Sequence, residues 1–321
     1  MKEEKEKALK YELGKGNPII TELPNNKTKK QYTKHIDLFC TWAADQGMKR
    51  RSQLIRLYGT MTAAVQSYAD YLIGKGYTAS TIHSYLAGVC RATGISLSEI
   101  EKPKRTTSEN TRSRTAEGRN RRADQEERSG RFDRLLDFQR AVGIRRNEIV
   151  RLTGSDFVYD ESGQPCVYVR KGKGGKPQLQ VIFPEDANLI RGYFQGKAPD
   201  ERIFSESEMK NHLDLHGIRH EHAKDCYTYY ASLSAAEREE LIDRLKARYI
   251  RFHKGPAKVE KWISQIDKDG GRYRLRGATK AHAIEKGLPV VYDRLALLAT
   301  SVFHLSHWRL DVTIGNYLTA V

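Results

Sequence analysis

The sequence predicts an α+β fold, mainly α: an all-α block followed by a mixed block with a small antiparallel sheet. Three observations predict it. Apolar residues recur at helical spacing through most of both blocks. Short alternating runs broken by Gly and Asp turns occur only between residues 156 and 183. A stretch without large apolar side chains, 102–122, separates the blocks. At about 100–200 residues per domain, 321 residues fit two domains, and 39% apolar residues suffice for real cores.

Residues 1–26 are rich in charge and read as a loosely ordered arm ending at Pro24-Asn25-Asn26. The next run puts Tyr32, Ile36, Phe39, Cys40 and Ala43 on one helix face, with Thr28 as N-cap and Gly47 as stop. A second run carries Val65, Tyr68, Tyr71 and Leu72 and ends at Gly74 or Gly76. A third starts near Thr78 or Ser80 and carries Ile82, Tyr85, Leu86, Val89 and Cys90. Residues 27–100 thus form a small helical domain whose exposed Lys, Arg, Thr and Ser suit phosphate contacts.

Residues 101–125 read as a basic linker. Lys102, Lys104, Arg105, Arg112, Arg114, Arg119, Arg121 and Arg122 are opposed, within 102–122, only by Glu109 and Glu117, a local charge of +6. Such a segment cannot bury a core. It is either a solvated tether or a strap against a DNA backbone, and its basic flanks favour the strap.

The mixed block covers 126–321. Helical runs are expected at 132–142, with Leu135, Leu136 and Phe138 inward, and from Asn147 to Leu152. Strands follow at 157–159, 166–169 and 179–182, the last two joined by a tight basic hairpin at 171–176. Ser234 and Glu237 make a capping box ahead of a Leu241, Leu245, Tyr249 stripe. A short helix at 256–266 has Pro256 in its first turn, and 293–305 is an apolar, buried helix.

Composition narrows the function. Fifty-six Lys+Arg against 40 Asp+Glu give +16, which points to a polyanion partner, most simply nucleic acid. No apolar run approaches about 18 residues, and the N-terminal residues lack the apolar centre of a secretory signal. Cys40, Cys90, Cys166 and Cys226 are far apart with no CxxC pair, which fits a reducing cytoplasm. The rings of His220 and His222 point to different faces of a helix, and there is no phosphate-loop motif, so neither a metal nor a nucleotide cofactor is expected.

Four stretches carry chemistry when read together: GIRRNE at 143–148, GKGGK at 172–176, HGIRH at 216–220, and LSH at 305–307 followed by Tyr317. Alone, they are a helix start, a solvated turn, a surface pair and one of 17 tyrosines. In order, they supply two arginines, a lysine, two histidines and a tyrosine, enough to bind and attack one phosphodiester. Guanidiniums clamp the non-bridging oxygens and follow them into the transition state. A phenol, with an ordinary pKa of about 10, needs a base or a positive field to attack near neutrality.

The ordered set resembles the tyrosine recombinases, the lambda-integrase-like family, across about residues 27–321. The resemblance implies a helical core-binding domain followed by a catalytic domain. Arg145 takes the place of the first arginine, with Arg146 as rival, and Glu148 supports it. Lys173 stands for the hairpin lysine and general acid, with Lys171 and Lys176 as rivals. His216 and Arg219 match the third motif, His307 the later histidine with His304 as rival, and Tyr317 the nucleophile; His220 would pack near the pocket. The implied activity is metal-independent, site-specific strand exchange on double-stranded DNA through a 3′-phosphotyrosyl link, as in a mobile-element integrase, with four protomers at synapsis in a bacterial-type cytoplasm. A type IB topoisomerase and an inactive DNA-binding relic are the alternatives.

Three departures matter. Ser306 stands where the family has glycine. Arg219 and His307 are 88 residues apart, more than the family spacing, which marks an insertion at about 231–290. Four residues follow Tyr317, so no tail is available to dock on a neighbour. The insertion is expected either to contact DNA or a second subunit, or to be a surface elaboration.

Overall fold

The computed structural model describes residues 8–105, 121–253 and 258–318. The protein is mainly helical, with a three-stranded and a two-stranded antiparallel sheet, the α+β class that the sequence predicts. Its chain divides into two compact units, 1–110 and 111–321.

The first unit is all helical: α1 (Asn26–Asp45), α2 (Arg51–Tyr58), α3 (Met61–Gly74) and α4 (Ala79–Thr93). Their apolar faces meet in one core that includes Ile36, Phe39, Val65, Tyr68, Ile82 and Leu86. Asn25 rather than Thr28 caps α1, because its side chain accepts from the backbone N–H groups of Lys27 and Thr28. Thr60 and Thr78 cap α3 and α4 in the same way. Gly88 lets α4 approach α1: a Cβ there would lie 3.1 Å from the Tyr32 backbone. The residues expected as a loose arm differ from that reading. Leu9, Leu13 and Ile20 are buried in the same core, and Asn17 caps a short helix, Pro18–Thr21. Apolar residues spaced among charges were enough to anchor this segment.

The second unit begins with α5 (Arg121–Arg128), so the C-terminal end of the expected linker is helical. It continues with α6 (Asp133–Val142) and α7 (Arg146–Ile149), then β1 (Phe157–Tyr159), β2 (Pro165–Val169) and β3 (Gln178–Val181) in a β1-β2-β3 meander. Cys166 pairs with Val181, and Val169 with Gln178. After α8 (Ala187–Phe194) comes α9 (Leu215–Ala231), which packs on α6 and is capped by Asp214 accepting from Gly217 N–H at 2.8 Å.

The inserted stretch forms α10 (Ala235–His253), α11 (Val259–Ile263), β4 (Arg272–Arg274), α12 (Gly277–Glu285) and β5 (Val291–Asp293). Ser234 and Glu237 make the capping box; Pro256 lies outside the described residues. The insertion is no surface elaboration. Leu241, Leu245, Val259 and Ile263 share a core with Cys166, Leu179 and Phe303. Arg248, 1% exposed, ties α10 to the sheet through Asp160 at 2.7 Å and the Leu179 carbonyl at 3.0 Å. Leu275, Ala283 and Tyr292 pack with Leu297, Ile314 and Leu318. The chain then forms α13 (Arg294–Ala299), which runs on as a π-helical turn through His304, and α14 (Leu310–Thr313), which runs on through Leu318. No helix among the described residues is long and apolar enough to cross a membrane.

Candidate functional site

Three separated segments of the second unit converge on Tyr317. Its ring is 5% exposed and sits in the π-helical turn Ile314–Leu318, where Ile314 and Leu318 fasten the backbone to the insertion. Arg219, with no exposed surface, projects from α9. Its Nε donates to the Tyr317 hydroxyl at 3.3 Å, Nη2 to the Leu305 carbonyl at 3.1 Å, and Nη1 to the Gly143 carbonyl. Of five guanidinium N–H groups, these three have partners among the described residues. His216, Arg219 and His220 stand at i, i+3 and i+4, so one helix face presents all three.

Gly143 is where local sequence and site geometry meet. It ends α6 in the left-handed region (φ 62°), and a Cβ there would lie 2.2 Å from the His222 ring. That turn frees the carbonyl for Arg219 and aims the next residues into the site. Arg145 opens α7, and Glu148 holds it twice: Oε2 accepts from Arg145 N–H at 2.9 Å and Oε1 from Nη1 at 2.8 Å. The Arg145 charge also acts on the Tyr317 hydroxyl and lowers its pKa. Its rival Arg146 turns away and donates to the Leu213 carbonyl at 2.7 Å.

His307 faces the other side of the tyrosine. The two rings are stacked, 6.0 Å apart at 24°. Its Nδ1 accepts from Arg309 N–H at 3.3 Å, while Nε2 is buried without a hydrogen-bond partner. Burial, aided by Arg219 and Arg145, pushes its pKa down to about 3, so the ring is neutral. The turn that carries it is strained: Ser306 (φ 53°) and Trp308 (φ 60°), on either side, are both left-handed. Each costs about 1–2 kcal/mol in a residue other than glycine. His220 lies 5.0 Å from the Tyr317 ring and His216 6.2 Å, with 3.3 Å between their Nε2 atoms.

The electrostatics favour an ionisable phenol. Burial pushes the Tyr317 phenol up, but the charges and hydrogen bonds of Arg219 and Arg145 outweigh it, and the pKa falls below its ordinary value. Burial also lowers Arg219, yet Tyr317 and Glu148 pull it back.

Lys173 is not part of this cluster. It is exposed at the tip of the β2–β3 hairpin, where Gly174 (φ 79°) and Gly175 (φ 77°) make the turn. Lys171 and Lys176 are exposed on the same hairpin. Among the basic residues of the expected linker, Lys102 donates to the Ile100 carbonyl at 2.7 Å and also to that of Leu97. Lys104 and Arg105 are exposed. Arg121 and Arg122 lie in α5, and Arg112, Arg114 and Arg119 fall outside the described residues.

Behind Arg219 is a group that sequence reasoning missed: His222, Cys226 and His304, buried, with one donor atom each inside 4.8 Å. His304, the rival of His307, belongs here and stacks on Phe183 rather than facing Tyr317. The proton pattern follows from one acceptor. The Arg140 carbonyl, 2.8 Å from His222 Nδ1, must receive a proton. His222 Nε2 then accepts from His304 Nδ1 at 3.2 Å, and His304 Nε2 accepts from the Tyr230 hydroxyl at 2.9 Å. Burial drives His222 down to about 4 and pushes His304 well below its ordinary value, the latter helped by His222, Arg244, Arg248 and Arg219. Neutral rings account for every ring nitrogen here, and the three neighbouring guanidiniums make the place hostile to a cation. Only the spacing of His222 and Cys226, one helical turn apart, hinted at this pair in the sequence.

The chain matches no family model and no curated protein. Among solved structures it is similar to the crystal structure of XerA recombinase, at 15% identity over 84% of this chain and 96% of that one, with a TM-score of 0.26.

Proposed function

We propose that the chain is a DNA strand transferase of the tyrosine recombinase type. The observation that carries the reading is the Tyr317 hydroxyl held by Arg219 Nε at 3.3 Å, with the Arg145 charge acting on the same phenol and His307 stacked on the ring. Tyr317 oxygen attacks the scissile phosphorus, a bond forms between them, and the bond from phosphorus to the 5′-oxygen breaks. The phenol proton passes to the adjacent His216–His220 pair, whose rings lie 6.2 Å and 5.0 Å from that of Tyr317, as the arginines take up the developing charge. Arg145, whose side chain is 24% exposed, and the guanidinium of Arg219 bind the non-bridging oxygens when DNA seats over the buried tyrosine. His307 Nε2, carrying the proton because Nδ1 accepts, donates to one of them.

The departing 5′-oxygen needs a proton. Lys173, on its glycine-flanked hairpin, delivers it when DNA lies between hairpin and site. The phosphotyrosyl bond retains the energy of the phosphodiester, so a second 5′-hydroxyl reverses the step without cofactor. Exposed Lys104 and Arg105 supply sequence-independent phosphate contacts. Integration by a mobile element and a four-protomer synapse rest on the motif resemblance alone.

The test is covalent capture. Nicked duplexes from a random-sequence pool are incubated with the protein and separated on denaturing gels. Wild type forms a covalent adduct; Tyr317→Phe forms none while still shifting DNA on native gels. Adduct formation by the Phe variant, or its absence with wild type across the pool, defeats the reading.

A further inference from the structure

We propose that the insertion positions His307: Trp308, gripped by an aromatic box of Tyr249, His253 and Trp262, holds the turn at 305–308 and hence the histidine. The role assigned to His307 in catalysis rests on the phosphodiester reading above; the positioning itself does not.

The geometry starts from the backbone. Two residues other than glycine, Ser306 (φ 53°) and Trp308 (φ 60°), flank His307 in the left-handed region. Such a turn does not hold itself; its surroundings must enforce it. On the Ser306 side the grip is slight, one hydroxyl donating to Gln180 Oε1 at 3.5 Å. On the Trp308 side it is extensive. The indole meets His253 edge-on at 4.5 Å, Trp262 at 5.5 Å and Tyr249 edge-on at 6.0 Å. The box is itself layered: Tyr249 stacks on His253 at 4.5 Å and on Trp262 at 4.7 Å.

Every wall comes from the insertion. Tyr249 and His253 stand one turn apart on α10, and Trp262 is on α11. No wall residue touches Tyr317. The box therefore acts through the turn, which is also held by the Leu305 carbonyl accepting from Arg219 at 3.1 Å, His307 N–H donating to the Ser301 carbonyl at 3.1 Å and Arg309 N–H donating to Nδ1 at 3.3 Å. Trp308 is a positioning residue, and the 231–290 stretch is the support that it leans on.

The experiment has two arms on the full chain. First, histidine-ring ¹⁵N NMR follows the His307 ring, identified by its loss in His307→Gln. In wild type it stays neutral down to about pH 3, facing Arg219, Arg145, Arg309, Asp311 and Tyr317. In Trp308→Ala the ring should swing towards water and titrate near the ordinary histidine value of about 6.5; Trp308→Phe should restore the wild-type behaviour. If Trp308→Ala unfolds, Trp262→Ala and its rescue by Trp262→Phe decide, since they leave the turn's own sequence intact. An unchanged His307 titration in the alanine variants overturns the proposal.

The second arm is single-turnover adduct formation on a duplex that wild type captures. The alanine variants should slow it about 100-fold, the scale of a misplaced group, with DNA affinity unchanged; the Phe variants should stay within about threefold of wild type. A loss of DNA affinity with an unchanged adduct rate also overturns it. If wild type captures no duplex, the phosphodiester reading fails, and the NMR arm still decides the positioning.

Discussion

The guanidinium of Arg219 holds the hydroxyl of Tyr317 at 3.3 Å from Nε and lies 5.5 Å from the centre of the same ring, while two backbone carbonyls fix its other end. The same side chain is thus structural and chemical. Arg219→Ala leaves the Gly143 and Leu305 carbonyls buried without their donor, at about 1–3 kcal/mol each. Urea denaturation should show a loss of about 2–5 kcal/mol, and adduct formation should fall at least about 100-fold. Arg219→Lys keeps the charge but not the three-way fork, so it should recover some stability and little activity. Full activity in the lysine variant would show that charge alone suffices.

Tyr317 is held below its ordinary phenol pKa by Arg219 and Arg145 against the opposing effect of burial. The rate of adduct formation should therefore rise with pH and level off before about 10, the ordinary phenol value. Arg145→Gln removes one of the two charges and should move that plateau to higher pH. A plateau that does not move would mean that Arg145 leaves the phenol unaffected.

Gly143→Ala tests the turn between α6 and α7. The left-handed backbone at φ 62° and a Cβ 2.2 Å from the buried His222 ring both oppose a side chain there. Strain and overpacking together should cost about 2–4 kcal/mol, seen as a clear drop in melting temperature. An unchanged melting temperature would mean that His222 moves freely.

Acid should weaken the second unit. His222 and His307 have folded pKa values of about 4 and 3, below the ordinary 6.5. The unfolded chain therefore binds protons that the folded chain refuses, and stability falls as pH drops from about 6.5 towards 4. Each histidine contributes at most about 1.4 kcal/mol per pH unit in that window. His222→Asn, which keeps a donor for the Arg140 carbonyl, should flatten the slope of melting temperature against pH. An equal slope in the variant would place the acid sensitivity elsewhere.

Excising 235–285 should not yield a folded protein lacking one function. Leu241, Leu245, Val259 and Ile263 would leave a core shared with Leu179 and Phe303, and Arg248 would abandon Asp160. The deletion should lose the cooperative thermal transition of the second unit. A sharp transition in the deleted chain would show the insertion to be dispensable.

Much of this was legible in the sequence because the signals were periodic or local. The α1 and α4 faces, the β1–β3 meander and the Ser234 box depend on spacing within a few residues, and they appear where spacing puts them. The convergence of Arg145, Arg219, His307 and Tyr317 was legible only as an ordered set, since each residue alone is ordinary. What escaped was long-range. Nothing local says that Leu9 and Ile20 return to the first core, that α2 is a helix, or that residues 272–274 and 291–293 pair. The left-handed turn at Ser306 and Trp308 was hidden because neither is a glycine. Lys173 stays on its exposed hairpin, a reminder that shared motif order does not imply contact within one unit.

Ile314 and Leu318 bracket Tyr317 and are packed into Leu275, Ala283 and Tyr292 of the same chain. Tyr317, the proposed nucleophile, is moored in its own chain, 3.3 Å from Arg219 Nε. Two defective copies, one with Tyr317→Phe and the other with Arg219→Ala, therefore cannot pool their intact halves, and mixing them should restore nothing.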